Sequence, residues 1–187
     1  MPNYQRDKAV SKKPAVFLDR DGVLNESAVV GGKPYAPRRF ADFHLLPGTD
    51  AGVADLKGVG FTVVVVTNQP DIGNGLVDPA EVEAMNRWLL DNLAIDALYM
   101  CPHSQDENCA CRKPRPGMLE AAARDLEIEL ASSFMVGDRG SDILAGQTVG
   151  CFSIFIDMRY AEPLSVLPDA KVDNLCAAVQ LILSRKN

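Results

Sequence analysis

Residues 16 to 25 read Val16-Phe17-Leu18-Asp19-Arg20-Asp21-Gly22-Val23-Leu24-Asn25, an apolar run that breaks into two acids one position apart and then a glycine. Side chains alternate along a strand, so Asp19 and Asp21 project together if the backbone stays extended through Arg20, at the mouth of a sheet where the chain turns. Carboxylates gathered so closely repel each other, and a cation between them resolves the repulsion. Taken alone, the segment reads more simply as a strand ending in an acidic turn. Three further segments decide otherwise.

Working outward, apolar runs recur at 15–18, 61–66, 97–100, 134–136 and 152–156. The second, Phe-Thr-Val-Val-Val-Val, is β-branched and nearly continuous, as a strand covered on both faces should be. Helical segments lie between the runs, at 49–57, 79–93, 116–127 and 141–149, with Pro79 and Pro116 at helix starts and Asp78 as the N-cap of the former. Strands alternating with helices predict an α/β fold of three layers, a Rossmann-like parallel sheet of about five strands wrapped on both sides. No long insert follows the first run beyond residues 26–46, so no separate cap domain is expected. The loops at 28–37 and 71–76 and the cysteine-rich segment are left to select what enters, with Gly31-Gly32 making the first a candidate flap.

Ligands of such a sheet bind beyond the carboxyl ends of its strands. The residues that follow the runs are Asp19 and Asp21; Thr67, Asn68 and Gln69; Cys101 and His103; and Gly137-Asp138. Every one of these four exits carries polar or ligand-type groups.

At 187 residues the chain is long enough to bury a core without staples, and the expected organisation is a loose polar leader over 1–13 and one domain over 14–187. The leader has no apolar stretch to serve as a signal, and the segment at 175–183 is too short to cross a bilayer. A cytoplasmic monomer without membrane partners is therefore expected. The net charge of −6 argues against a nucleic-acid partner, which rewards basic clusters, but a small anionic metabolite needs only local positive charge.

Phosphoryl transfer needs an in-line nucleophile, a cation on the phosphate oxygens, neutralising donors and an acid for the leaving oxygen. Asp19 can attack, and Asp21 can protonate the leaving group and later activate water. Thr67 supplies a hydroxyl, Lys113 a point charge, Asp138 a second carboxylate for Mg2+, and Asp142 a group to orient that ligand. The order Asp-x-Asp-Gly-Val-Leu-Asn, a hydroxyl residue after a Val-rich strand, a downstream Lys and Gly-Asp-x-x-x-Asp resembles the haloacid dehalogenase (HAD) superfamily of phosphatases over residues 14 to 158. The resemblance implies that Asp19 is the nucleophile, Asp21 the general acid/base whose main-chain carbonyl also binds Mg2+, and Asp138 a Mg2+ ligand.

Cys101, His103, Cys109 and Cys111 form a Cys3His set within eleven residues, which favours a tetrahedral Zn2+ with every position filled by protein. A closed site of that kind is structural. The segment that follows, Arg112-Lys113-Pro-x-Pro-Gly-Met, makes the chain resemble the zinc-loop branch of the superfamily, which holds the heptose 1,7-bisphosphate 7-phosphatases and the histidinol-phosphate phosphatases. Phe43-His44-Leu45-Leu46-Pro47-Gly48 and the Leu24-Asn25 ending of the first motif incline toward the heptose enzymes. The resemblance implies hydrolysis of the 7-phosphate of a heptose bisphosphate in nucleotide-heptose synthesis for surface polysaccharide, with Arg112 as a substrate-side cation and Asn68, Gln69 and Arg139 as further substrate contacts. The compact spacing from His103 to Cys109 is shared with the histidinol-phosphate branch, which is the rival expectation; a non-enzymatic zinc-loop interaction module is the rival of another class. Pro70-Asp71-Ile72-Gly73-Asn74-Gly75 departs from the Ser-Gly-Ile-Ala-Arg-Gly of many heptose phosphatases.

Simpler readings suffice elsewhere. Cys151 and Cys176 are expected in apolar surroundings, His44 on a short edge strand, and Trp88 as packing beside Val82, Met85 and Leu89. An ion pair to Asp142 or Glu120 would explain Arg139 or Arg112 without substrate.

Overall fold

The computed structural model of the protein describes residues 12–186. β1 (Ala15–Leu18) leads through a hairpin of β2 (Ala28–Val30) and β3 (Lys33–Tyr35) to α1 (Thr49–Gly58) and β4 (Thr62–Asn68). One turn of helix, α2 (Pro70–Gly73), precedes α3 (Pro79–Asn92) and β5 (Ala97–Cys101). The chain continues through α4 (Gly117–Asp125), β6 (Phe134–Gly137), α5 (Gly140–Thr148), β7 (Phe152–Ile156), β8 (Ala170–Val172) and α6 (Leu175–Lys186). Asp78 caps α3 as expected, its carboxylate accepting from the Ala80 N–H at 2.9 Å.

The central sheet has six strands in the order β5-β4-β1-β6-β7-β8, and every pairing in it is parallel. β1 lies in the middle and buries both faces, Val16 and Leu18 toward one layer and Ala15 and Phe17 toward the other. The first layer is closed by Val53 and Leu56 of α1, Leu89 of α3 and Val179 and Ile182 of α6; the second by Met118 and Leu119 of α4 and Ala145 of α5. Val63, Val64, Val65 and Val66 of β4 are fully buried, each contributing roughly 1.5–3 kcal/mol of apolar burial, and this is why that strand reads as a continuous valine run.

Six strands stand where the apolar runs gave five. The sixth, β8, is the three-residue edge strand Ala170-Lys171-Val172, whose exposed lysine breaks any apolar run. The loop at 28–37 holds the β2–β3 hairpin, turned by Gly31 and Gly32. Met1 to Ser11 of the expected leader lie outside the described residues, while Lys13 is drawn into the fold by an isolated bridge to Ile128. His44 lies on no strand, although its carbonyl accepts from the Glu26 N–H at 2.9 Å. Cys151 is buried as expected, but Cys176 is exposed, because the helix register that turns Leu175, Ala178, Val179 and Ile182 inward leaves it outside. Trp88 packs edge-on against Phe43, with ring centroids 6.0 Å apart. Among the described residues no helix is long and apolar enough to cross a membrane.

Register brings the strand exits level. Leu18 lies opposite both Val65 and Val136, and Asn68 lies opposite Cys101. Asp19, Thr67, Cys101 and Asp138 therefore leave the sheet along one rim.

Candidate active site

Asp19 follows the last residue of β1 and turns its carboxylate back over the chain, Oδ1 accepting from the Arg20 N–H at 2.8 Å. Arg20 then closes a tight turn, its carbonyl accepting from the N–H groups of Val23, Leu24 and Asn25. Gly22 sits in this turn at φ 86°, and a Cβ there would collide with Asp138 Oδ2, so glycine is required both for conformation and for space. Gly137 meets a similar limit, since a Cβ would overlap the Asp142 side chain.

Lys113 is the hub of the rim. Its Nζ lies 2.8 Å from Asp19 Oδ1 and 2.7 Å from Asp142 Oδ1, and donates to the Val66 carbonyl at 2.6 Å. Only 3% of the residue is exposed. Desolvation alone would lower the ammonium's pKa, but Asp142 and Asp19 outweigh it and hold the group charged. The other oxygen of Asp142 accepts from the Arg139 N–H at 3.0 Å and so caps α5. Asp142 thus fixes Lys113 and the helix together.

Asp138 is 2% exposed, and neither of its oxygens has a hydrogen-bond partner; the Tyr160 hydroxyl, also buried and unpartnered, lies beside it. Burial, followed by repulsion from Asp19 and Asp142, pushes the Asp138 carboxyl well above its ordinary range. Burial likewise raises Asp19 to about 7, against the pull of Lys113. One carboxylate oxygen each from Asp19, Asp138 and Asp142 lie within 4.8 Å of one another. Three buried acids around a single ammonium, one of them with both oxygens orphaned, fit a hard divalent cation with oxygen ligands.

Asp21 faces the same cleft but stands apart from this cluster. Its carboxylate accepts from Arg20, from Asn25 Nδ2 at 2.9 Å and from Gln69 Nε2 at 2.6 Å. Gln69 also donates to Thr67 Oγ1 at 2.9 Å, and Thr67 is buried beneath the cleft floor. Asn68 lines the cleft, yet its amide grips the main chain of Lys113 from both sides, accepting from the N–H at 3.1 Å and donating to the carbonyl at 3.0 Å. Arg112 lines the cleft with a buried Nη1 that has no partner, and Arg139 pairs with Glu162 at 2.6 Å. The cleft has a volume of about 530 Å³, and its border includes the hairpin residues Lys33, Pro34 and Tyr35 together with Asp71 and Gln105.

Beside it, Cys101, His103, Cys109 and Cys111 converge. Cys109 Sγ lies 3.4 Å from Cys101 Sγ and 3.5 Å from Cys111 Sγ, and His103 Nδ1 lies 3.5 and 3.2 Å from Cys101 and Cys111. Edges of a tetrahedral zinc site are about 3.5–3.8 Å for metal–ligand bonds of about 2.0–2.3 Å, so the four groups are spaced to hold that ion. Burial pushes the Cys101 thiol up to about 12; at Cys109 desolvation is overcome by hydrogen bonds from Cys101 and Cys111, which bring it down to about 7.

Sequence reasoning missed Arg20, Asn86, Tyr160 and Lys33. Lys33 had a signal in the Gly31-Gly32 turn before it. Tyr160 had none, lying in an irregular segment after β7.

The fold and site have counterparts among known proteins. Residues 110–175 match the HAD-hydrolase-like family. The chain is 38% identical over 164 residues to D-glycero-β-D-manno-heptose-1,7-bisphosphate 7-phosphatase of Photorhabdus laumondii, across 81% of this chain and 84% of that one. It is 34% identical over 172 residues to the enzyme of the same name from Yersinia pestis, across 86% and 88%. The crystal structure of D,D-heptose 1,7-bisphosphate phosphatase from B. bronchiseptica, complexed with magnesium and phosphate, superposes with a TM-score of 0.80 at 31% identity, covering 92% of this chain and 99% of the other.

Proposed function

We propose that this chain, which belongs to the HAD-like hydrolase family and is a phosphatase of that family, removes the 7-phosphate of D-glycero-D-manno-heptose 1,7-bisphosphate through an aspartyl phosphate on Asp19. Four groups carry this: Asp19, Asp138, Asp142 and Lys113, gathered at the base of one cleft with Asp138 left unpartnered. The relatives that span more than four-fifths of their own length on this chain bear the name of that activity.

Asp19 attacks phosphorus, forming an O–P bond as the ester P–O bond breaks, and the departing oxygen takes a proton from Asp21. A water then gives its proton to Asp21 and attacks the same phosphorus, releasing Asp19 and inorganic phosphate. Lys113, held by Asp142, neutralises the phosphate oxygens beside Asp19, and Thr67 bounds the pocket from below. Mg2+ held by Asp19, Asp138 and the Asp21 carbonyl would supply further neutralisation of those oxygens. Arg112 offers the free donor for the remote part of the substrate, and Lys33 lines the same cleft; Asn68, Gln69 and Arg139 act mainly by holding Lys113, Asp21 and α5 in place. Zn2+ in the Cys101-His103-Cys109-Cys111 set would pin the loop that carries Arg112. We take the enzyme to be a cytoplasmic monomer serving nucleotide-activated heptose synthesis.

A phosphate-release assay over heptose 1,7-bisphosphate, hexose bisphosphates and histidinol phosphate, with Mg2+ present, tests this reading. The heptose bisphosphate should be hydrolysed with kcat/KM at least about 100-fold above histidinol phosphate, the margin that buried charge recognition supplies. A preference for histidinol phosphate overturns the substrate, and no hydrolysis of any ester overturns the reaction.

A further inference from the structure

Between the two acids of the first motif stands Arg20, with no exposed surface. A buried guanidinium is strongly unfavourable unless its donors are met, and here they are met by only two side chains. Nε lies 3.2 Å from both oxygens of Asp21, and Nη2 lies 3.1 Å from Oδ1. Nη1 donates to Asn86 Oδ1 at 2.8 Å. Asn86 is itself buried on α3, its Nδ2 facing Met100 Sδ at 3.5 Å. Arg20 is thus wedged between the exit of β1 and α3. It does not line the cleft, whereas Asp21 does.

We propose that Arg20 is a positioning residue for the leaving-group step: it never touches substrate, but it sets the direction from which Asp21 presents its carboxyl, with Asn86 bracing its far side. A rigid fork serves this better than an ammonium, since Nε and Nη2 together fix the plane of the carboxyl as well as its distance. Buried Asn25 and the cleft-lining Gln69 donate to the same carboxylate, so Asp21 is held by four side-chain donors besides presenting itself to the cleft. The proposal rests on the phosphatase reading above, and its test separates the two.

The proton from Asp21 matters in proportion to the basicity of the departing oxygen. A sugar alkoxide needs it, whereas p-nitrophenolate leaves as a stable anion without it. Steady-state kinetics of the Mg2+-loaded enzyme on heptose 1,7-bisphosphate and on p-nitrophenyl phosphate should therefore split. In Arg20→Met, kcat/KM, which stops at release of the leaving oxygen and so leaves out the later water attack that also uses Asp21, should fall by on the order of 100-fold on the sugar ester and by less than about fivefold on the aryl ester. Arg20→Lys should recover part of the loss on the sugar ester only. Equal losses of kcat/KM on both esters, or no loss on either, overturns the proposal.

Should Arg20→Met fail to fold, Asn86→Ala serves instead. It leaves the guanidinium in place but removes its brace, and should show the same split at about fivefold. Equal losses or no loss in that variant overturn the proposal. Wild-type hydrolysis of no ester at all, heptose 1,7-bisphosphate included, sinks the phosphatase reading together with it.

Discussion

The acidic cluster at the sheet rim and the cysteine loop beside it both gather groups that a cation would join, and they are built by opposite routes. Asp19, Lys113 and the pair Asp138 and Asp142 come from three separate stretches of chain, levelled by the register of β1, β4 and β6 and by the packing of α5. The four ligands of the loop come from residues 101–111, and nothing between β5 and α4 is helical or extended. Geometry at the rim is inherited from a sheet whose strands are buried on both faces. Geometry in the loop rests on its own ligands and on a few local hydrogen bonds, such as Arg115 to the Cys109 carbonyl at 2.7 Å and the Gly73 N–H to the Pro102 carbonyl at 2.9 Å. The rim should therefore keep its shape without an ion, while the loop should depend on one.

The strongest way to break this contrast is Asp19→Asn. Turnover should fall by a factor on the order of 10³ or more, since the nucleophile is gone. Thermal unfolding by circular dichroism, in chelator, should show Tm unchanged or raised, because one of three like charges around Lys113 has been removed while the Asp142 partner remains. A Tm lowered by more than about 5 °C would mean that the rim is held together by its charges instead of by the sheet.

Cys109→Ser should act in the reverse sense. Bound zinc, measured by atomic emission, should drop, and Tm should fall by about 4–8 °C, as expected for roughly 2 kcal/mol in a chain of this size. KM for the sugar phosphate should rise several-fold as Arg112 loosens, with kcat within about threefold of wild type. A kcat loss as large as that of Asp19→Asn, at unchanged Tm, would erase the distinction between the two regions.

The smallest effect belongs to the surface. Arg38 pairs with Asp71 at 2.7 Å and is nearly half exposed. Arg38→Ala should cost less than about 1 kcal/mol and move Tm by no more than about 2–4 °C. Because Asp71 borders the cleft, KM should shift about twofold at low salt and less at high salt, which a salt series resolves.

Much of this was legible from the chain alone, for physical reasons. Buried strands are long apolar runs, and the acids that end them announce the rim; β1 and β7 begin and end where their runs do. β8 was not legible, because a three-residue edge strand with one face in solvent carries almost no apolar signal. The ligand types at the rim could be read, but not how they share work. Asp142 has the spacing of a helper for a metal ligand, and only the fold reveals that it holds Lys113 and caps α5. Arg20 shows the limit most plainly. A charged residue between two acids looks like a solvated side chain, and its complete burial against Asn86 follows from how α3 crosses the sheet.

The amide of Asn68 grips the Lys113 peptide unit from both sides, one residue downstream of Arg112 and two downstream of the last cysteine ligand. It works as a firebreak. Rearrangements among residues 102–112, whether from a lost ion or from accumulated substitutions, should be damped at that clasp before they reach the ammonium beyond it. Descendants of this fold can accordingly exchange the segment that greets the substrate while passing on the reaction machinery unaltered.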